Sequence, residues 1–247
     1  QKVSLSKQVQ FYLWEYLLVH LLKLLIEIQA KYMSGNGTSL GGAVVDSGNF
    51  DWSESGKFKS LSAEEPAYHG LKFHDTFGPY AFIIYSIAVS LRDLGMTMAP
   101  QNAFQTLLGL ETLSLRMKKH VSNARKIANW LEKHPKIDKV TYAGLKSSKY
   151  YDLAKSVLPK GAGALFTISL KEGYEACIKM INKLNLFSHV SNLGDTRSLI
   201  IHPASTVHRQ LTEQQQINAG LAPNVIRLSI GIEDPKDLID DIKQALE

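Results

Sequence analysis

The sequence predicts an α/β protein whose C-terminal part is an α+β domain beginning near residue 119. Apolar residues recur at helical spacing from residue 100 to residue 131, which predicts a long amphipathic helix, bent or broken, that ends at His134-Pro135. Beyond it the pattern changes to short apolar, β-branched runs separated by helical patterns. The predicted strands are 139–142, 164–170, 188–190, 198–201 and 225–230, and the predicted helices are 173–184 and 235–246.

The segment 9–30 is the most hydrophobic in the chain, so a membrane span or a secretory signal has to be considered. Charged or titratable residues interrupt it, and Lys23 and Glu27 lie one turn apart on a single face of any helix. No small-residue cleavage site follows. The pattern therefore favours a largely buried helix with a narrow polar stripe.

Three further stretches precede the long helix. Residues 42–46 form a short β-branched run that stops at Ser47-Gly48, which predicts a strand ending in a turn. Residues 50–68 are polar without a sustained period, and we predict a surface excursion or lid. Residues 80–94 return to helical spacing.

Composition limits the class of protein and its partners. The chain has 247 residues, 45% of them hydrophobic, which is enough for a sizeable core, and a mean hydropathy of −0.10, which is typical of a soluble globular protein. The net charge is +5, but the 28 basic and 23 acidic residues are interspersed rather than clustered. Short basic patches such as 116–120 are typical of one face or end of a helix. We therefore predict no nucleic-acid partner and no membrane partner.

The single cysteine, Cys177, excludes an intrachain disulfide and a cysteine-rich metal site. It favours a reducing compartment, for which the cytoplasm is the default, and its apolar helical surroundings predict a core position. His202 and His208 lie six residues apart with Pro203 between them, so they cannot share a helical face at ligand spacing. We predict no metal site and a hydrogen-bonded scaffold role for these histidines.

A lysine directly before a glycine-rich run is the first candidate for chemistry. Lys31 precedes residues 32–42, which contain four glycines and lead into the apolar segment. Glycines allow positive φ and bring main-chain N–H groups close to another chain or to an anionic ligand. By itself the pattern indicates a tight loop beside a lysine, with a solvated side chain as the alternative.

From residue 31 to the C-terminus the chain resembles the Cys/Met-metabolism group of pyridoxal-phosphate enzymes, and within that group the O-acetylhomoserine sulfhydrylases. The resemblance keeps its order and spacing over 217 of 247 residues. The stretches that carry it are Lys31-Tyr32 with Ser34 to Gly42, Val45 to Gly48 with Phe50-Asp51-Trp52, Tyr68-His69-Gly70, Leu91 to Gly95, Gly109 to Leu113 with Leu115-Arg116-Met117, Asn192 to Asp195, His202 to Thr206 with His208 to Leu211, and Ile226 to Asp234.

The resemblance implies a fold and three site residues. The fold is the C-terminal part of a fold type I pyridoxal-phosphate transferase, with residues 1–118 as an incomplete large domain and 119–247 as the smaller α+β domain. Lys31 holds the position of the lysine that bonds pyridoxal 5'-phosphate and moves protons at the substrate α-carbon. Arg227 holds the position of the arginine that clamps the substrate α-carboxylate, where a planar, permanently charged fork is required. Asn192 is implied as a second donor, with a turn-forming asparagine as the alternative.

The implied reaction is γ-replacement on a small amino-acid substrate, O-acetylhomoserine, with sulfide or a thiol, giving homocysteine or methionine in sulfur amino-acid biosynthesis. Self-association into dimers or homotetramers is implied as well. Two alternatives remain open. One is a cystathionine or methionine γ-lyase of the same group, and the other is a catalytically silent fragment with a structural or interaction role.

The chain also departs from the resemblance. Family members carry serine and threonine three residues and one residue before the lysine, where their hydroxyls help to hold the cofactor phosphate. Ile28 and Ala30 occupy these places and cannot donate hydrogen bonds. Residues 1–30 do not resemble the family, so the resemblance breaks off at Lys31, and family chains extend further on the N-terminal side. The chain is thus either part of a full enzyme or a shortened protein in which the apolar segment 9–30 covers exposed core.

Overall fold

The structure, a computed structural model, describes residues 24–28 and 32–247. The described residues fall into two compact units, one holding 24–28 and 40–104 and the other holding 32–39 and 105–247. The division between residues 118 and 119 stays a prediction. Each unit is described separately below.

The first unit begins with a two-stranded antiparallel sheet in which Ile26 pairs with Val44. Its elements are β1 Leu24–Ile28, β2 Gly42–Asp46, α1 Lys59–Ser62, α2 Phe73–Phe77, α3 Ala81–Tyr85 and α4 Arg92–Leu94, with a π-helical segment at Ser86–Leu91 between α3 and α4. The helix predicted for 9–30 is wrong at β1, because the neighbouring strand satisfies the backbone of this segment through pairing. The remainder of that prediction lies outside the described residues. Strand 42–46 and the helical pattern of 80–94 are confirmed.

An aromatic cluster forms the core of the first unit. Trp52 stacks on Phe82 with ring centroids 5.1 Å apart, and Phe73 packs edge-on against Tyr85 at 5.0 Å. Trp52, Leu61 and Phe73 are all buried. The prediction that 50–68 is a surface excursion is therefore wrong for Trp52 and Leu61. The prediction relied on a helical or strand period of apolar residues. These two side chains are buried in a segment that has no such period.

The chain continues through a helical pair into the second unit. The elements are α5 Pro100–Glu111, α6 Leu113–Leu131, β3 Ile137–Thr141, α7 Tyr151–Val157, β4 Leu165–Leu170, α8 Tyr174–Lys183, β5 Ser188–His189, β6 Leu199–Ile201, α9 Glu213–Asn218, β7 Val225–Ser229 and α10 Pro235–Leu246. The predicted long helix is confirmed and is broken at Thr112, which separates α5 from α6.

A five-stranded sheet organises the second unit in the order β3-β4-β7-β6-β5. All neighbours are antiparallel except β5 and β6, which are parallel. Helices α6, α8 and α10 contribute Ile127, Met180 and Leu238 to the core against this sheet. All five predicted strands and both predicted helices of this region are confirmed within one to two residues at their ends. Asp234 caps α10 by accepting a hydrogen bond from the Lys236 N–H at 2.8 Å.

Two helices of the second unit escaped sequence reasoning. Helix α7 has only seven residues, too few to show a helical period. Helix α9 begins with a capping box in which Thr212 and Gln215 exchange hydrogen bonds. The Thr-x-x-Gln spacing is a readable start signal, so α9 was predictable from the sequence.

Cys177 lies fully buried in the core of the second unit, as predicted. Burial raises the pKa of its thiol to about 12, so the thiolate is scarce at neutral pH. Among the residues that the structure describes, no helix is long and apolar enough to cross a membrane.

Candidate active site

Arg227 projects from the face of β7 opposite the core. Strand β7 lies between β4 and β6, with Arg227 opposite Thr167 and Ile201. Its sequence neighbours Ile226 and Leu228 are fully buried, and strand alternation therefore turns Arg227 to the other face, where it is half-buried. Burial lowers the pKa of Arg227, and no carboxylate among the described residues forms an ion pair with it. Its guanidinium keeps donors available for an anion.

The loop that contains Asn192 lies against this face of β7. Nη2 of Arg227 donates a hydrogen bond to the carbonyl oxygen of Asn192 at 3.3 Å. Two residues further along β7, Oγ of Ser229 accepts a hydrogen bond from the N–H of Gly194 at 2.9 Å. Arg227 and Ser229 thus hold the same loop at two points. Two of the three predicted site residues are brought together, although Asn192 uses its backbone rather than its side-chain amide in this contact.

The same loop touches the chain that follows the predicted lysine. Lys31 lies outside the described residues, but Tyr32 is described. At Gly194, φ is +72° and an added Cβ would lie 3.0 Å from the backbone nitrogen of Tyr32. The N–H of Thr196 also donates to the carbonyl oxygen of Gly35 at 2.9 Å. Only glycine allows this close approach at residue 194, because any side chain would meet the Tyr32 backbone and strain the left-handed φ.

Helices α5 and α6 support the other side of residues 32–35. At Gly109 in α5, an added Cβ would lie 2.3 Å from the carbonyl oxygen of Met33 and 2.6 Å from that of Ser34. Arg116 in α6 is buried and donates to the carbonyl oxygen of Tyr32 at 2.7 Å. Sequence reasoning placed Arg116 in a basic patch on one face or end of a helix. The signal that could have located it is its place in the motif Gly109 to Met117.

His120, one turn further along α6, lies beside Tyr32. The two rings meet edge to face with centroids 5.4 Å apart. Nδ1 of His120 is 2.6 Å from the carbonyl oxygen of Ile230, so Nδ1 carries the proton and donates. Nε2 is buried and has no hydrogen-bond partner within the part of the chain that the structure describes. Burial lowers the pKa of His120, and the nearby Arg116 lowers it further. The neutral imidazole is therefore the form that this packing accepts.

The free energy of unfolding is expected to fall as the pH drops from about 7.5 to about 5.5. Burial lowers the folded-state pKa of both His120 and His202 below the unfolded value of about 6.5. Below that value the unfolded chain binds protons that the folded chain excludes, so this stability is present above pH 6.5 and lost as pH falls, with a slope of up to ~1.4 kcal/mol per pH unit for each histidine. Urea unfolding at several pH values measures the slope.

His120→Asn tests the share of one histidine in that slope, because the asparagine amide can still donate to Ile230. The variant is expected to flatten the dependence. His69→Asn is the matched control, since His69 is exposed and has a φ of 57°, which asparagine tolerates. If the free energy of unfolding depends on pH in the same way in His120→Asn and in the parent, His120 does not contribute to the slope.

Of the two histidines considered for a metal, His202 has other side-chain contacts, whereas the hydrogen bonds of His208 are made by its backbone. His202 is fully buried, with Nε2 2.7 Å from the carbonyl oxygen of Pro223 and Nδ1 2.9 Å from Oγ of Ser205. These contacts make His202 part of the hydrogen-bonded scaffold. Across residues 24–28 and 32–247, no group of three or more His, Cys, Asp or Glu side chains is arranged to hold a metal ion.

Comparison with known families decides the class of this site. A family model described as Cys/Met metabolism PLP-dependent enzyme matches residues 20–247. The chain belongs to this family. The match begins before Lys31, so the prediction that residues 1–30 do not resemble the family is wrong for residues 20–30, which include β1. This start agrees with β1 being a paired strand of the fold.

Individual relatives agree with the family. The chain is 44% identical to an O-acetyl-L-homoserine sulfhydrylase of Leptospira meyeri over 239 residues, which cover 93% of this chain and 54% of the relative. It is 45% identical to a homocysteine synthase of Schizosaccharomyces pombe over 218 residues, covering 88% and 51%. The chain thus spans about half the length of the curated relatives it matches.

A solved structure of similar fold belongs to an O-acetylhomoserine (thiol)-lyase of Campylobacter jejuni with N'-pyridoxyl-lysine-5'-monophosphate. It superposes with a TM-score of 0.84 at 42% sequence identity, covering 92% of this chain and 54% of that protein. The fold is therefore the C-terminal portion of fold type I, as the motifs predicted.

The described residues fit one side of a cofactor site of this family. Arg227 offers a half-buried guanidinium without a carboxylate partner, and Gly194 lets the Asn192 loop approach Tyr32. These features place a cationic group with free donors against the loop that approaches Tyr32. On the phosphate side, Ile28 and Ala30 lack the hydroxyls of the family pattern.

Proposed function

We propose that this chain carries the lysine and the carboxylate-binding side of a pyridoxal-phosphate-dependent O-acetylhomoserine sulfhydrylase. The observation that carries the proposal is the guanidinium of Arg227, half-buried, free of any described carboxylate and hydrogen-bonded to the loop that contacts Tyr32. A bidentate clamp for an α-carboxylate needs such a group. The relatives named above, a sulfhydrylase and a homocysteine synthase among them, support the reaction class.

In the proposed reaction Arg227 fixes the α-carboxylate, and the amide of Asn192 adds a second donor. When bound, pyridoxal 5'-phosphate supplies the electron sink for negative charge at the substrate α-carbon. Nζ of Lys31 would hold the cofactor and would serve as the base that takes the proton from the substrate α-carbon. At the γ-carbon, the bond to the acetyl ester oxygen breaks and acetate leaves, and the sulfur of sulfide or of a thiol forms the new bond. The product is homocysteine or, with methanethiol, methionine.

We further propose a cytoplasmic homo-oligomer, a dimer or tetramer. Apolar side chains on α5 and at the start of α6 support self-association, because Leu107 and Leu115 are 59% and 67% exposed. The single buried cysteine supports a reducing compartment. Sedimentation of the purified chain over a concentration series tests the oligomer, and a monomer at all concentrations would contradict it.

Borohydride trapping at Lys31 is the central test of the proposed function. The purified chain is incubated with pyridoxal phosphate and reduced, and the pyridoxyl-lysine is mapped by peptide mass spectrometry. We expect saturable labelling at Lys31 at cofactor concentrations below those that label other lysines, because only a lysine in a cofactor site is preorganised for the aldehyde.

Lys31→Arg is the matched control, since it keeps the charge but cannot form the imine. Labelling should then disappear from this peptide while other lysines are unaffected. Absent label in the parent chain, or label scattered over many lysines, would overturn the enzymatic proposal and favour a catalytically silent fragment. The lack of side-chain hydroxyls at Ile28 and Ala30 is consistent with that alternative. If Lys31 is labelled, homocysteine formed from O-acetylhomoserine and sulfide supports the sulfhydrylase, whereas cleavage of cystathionine alone supports the γ-lyase.

A further inference from the structure

Arg116 is a buried cation that binds backbone carbonyls. It is 8% exposed, and its described partners are neutral oxygen atoms. The guanidinium loses hydration at this position, and this burial lowers its pKa. A charge of this kind is retained only where its hydrogen bonds are well satisfied. The carbonyls around Arg116 therefore have to stay where they are.

The three carbonyls that accept hydrogen bonds from Arg116 come from two separate parts of the chain. Nη1 donates to the carbonyl oxygen of Tyr32 at 2.7 Å, and Nη2 donates to that of Met33 at 3.3 Å and to that of Gly109 at 2.6 Å. Arg116 thereby ties the backbone of residues 32–33 to the C-terminal turn of α5. The two chain segments are separated by more than 70 residues of sequence, so no local hydrogen bond can do this.

The guanidinium is itself held in one orientation. Nε donates to Oγ1 of Thr112 at 3.1 Å, at the break between α5 and α6. On the other side Gly35 leaves room for the group, because an added Cβ there would lie 2.9 Å from Cζ of Arg116. A lysine has a single terminal nitrogen and cannot reach these oxygens with the same fixed fork.

We propose that Arg116 is a positioning residue for Lys31, acting through the backbone carbonyl of Tyr32, the residue that follows the lysine. The proposal rests on the proposed function, since it assigns Arg116 to the cofactor lysine. The hydrogen bond at Tyr32 anchors the chain directly after Lys31 from the α6 side, while Gly194 bounds it from the loop beside Arg227. Apart from Nε, which donates to Oγ1 of Thr112, the guanidinium donates to backbone carbonyls.

The test compares cofactor labelling at Lys31 in the parent chain with that in Arg116→Lys. The probe is pyridoxal phosphate with borohydride reduction, and the readout is the concentration for half-maximal label at Lys31 relative to the other lysines of the same sample. We expect this concentration to rise about tenfold or more, because charge-assisted hydrogen bonds to Tyr32 and Met33 are lost. Labelling at the other lysines should stay the same if Arg116 acts on Lys31 alone. A general loss of structure would change labelling at the other lysines as well.

Thr112→Val provides a milder variant, in case Arg116→Lys does not fold. It removes the oxygen that orients Nε, together with the long hydrogen bond of 3.5 Å from that oxygen to the Gly109 carbonyl, keeps a β-branched side chain of similar size and lies at an exposed position. We expect about a threefold rise in the half-maximal concentration. Ser122→Ala in the same helix is the control and should leave it unchanged.

The outcomes separate the two proposals. If the parent chain is not labelled at Lys31, the proposed function fails, and with it the basis for the role of Arg116. A second outcome is that the parent is labelled at Lys31 and that Thr112→Val, and Arg116→Lys if it folds, are labelled at the same concentration. The proposed function then stands, and the positioning role of Arg116 is overturned. A selective rise at Lys31 in either folded variant supports the role.

Discussion

Arg227→Lys is expected to lower kcat/KM for O-acetylhomoserine by about 100-fold, equivalent to ~3 kcal/mol. The reason is geometric, since lysine keeps the positive charge but loses the second hydrogen bond and the planar fork that matches a carboxylate. It also loses the hydrogen bond to the carbonyl oxygen of Asn192. Initial rates of homocysteine formation with sulfide measure the effect.

A substrate analogue tells carboxylate binding from general damage. The acetate ester of 3-aminopropanol keeps the amine and the leaving group but has no carboxylate. If Arg227 clamps the carboxylate, the parent should prefer the natural substrate strongly, and Arg227→Lys should lose most of that preference. Arg125→Lys, at an exposed position in α6, is the control. Equal losses on both substrates would show that Arg227 acts on the fold rather than on the carboxylate.

Gly109→Ala is expected to destabilise the chain by about 2–3 kcal/mol, although alanine is the better helix former by about 1 kcal/mol. The added Cβ would lie within 2.6 Å of two backbone oxygens, those of Met33 and Ser34, so the backbone itself has to move. That movement would also shift the residues bound by Arg116. Urea unfolding measures the loss of stability. The pyridoxal phosphate concentration for half-maximal label at Lys31 should rise in the same variant.

Gln101→Ala is the control for this substitution. Gln101 lies at the exposed start of the same helix, α5, where alanine adds helix propensity without a new contact. Its stability should stay within about 0.5 kcal/mol of the parent. A Gly109→Ala variant as stable as the parent would mean that α5 does not pack closely on residues 33–34.

Much of the second unit could be read from the sequence, because its strands and helices bury one face each and therefore show a period. Strand β4 is the clearest case, where the buried residues Phe166, Ile168 and Leu170 alternate with less buried ones. The first unit was less readable. Its core is built from aromatic side chains in irregular segments, such as Trp52, and its β1 strand is defined by pairing with β2 rather than by its own pattern.

The candidate site, too, was only partly predictable from the sequence. The types of residue that the chemistry needs were visible in the sequence, namely a lysine before a glycine loop and an arginine on a strand. That Arg227 and Ser229 hold the Asn192 loop was not visible, because both contacts span more than 30 residues. Arg116 looked like one cation of a basic stretch, since burial of a charge is decided by carbonyls that lie 84 and 83 residues earlier in the chain.

By itself, the sequence determined the family motifs, the order of the strands and of the longer helices after residue 100, and the chemical nature of Lys31, Arg227 and Asn192. These properties depend on local residue type and spacing. Only the tertiary structure decided which glycines and which cations support residues 32–35, because close approach at Gly109 and Gly194 and burial of Arg116 are properties of packed surfaces. Such contacts join distant segments, and no local pattern encodes which segments will meet.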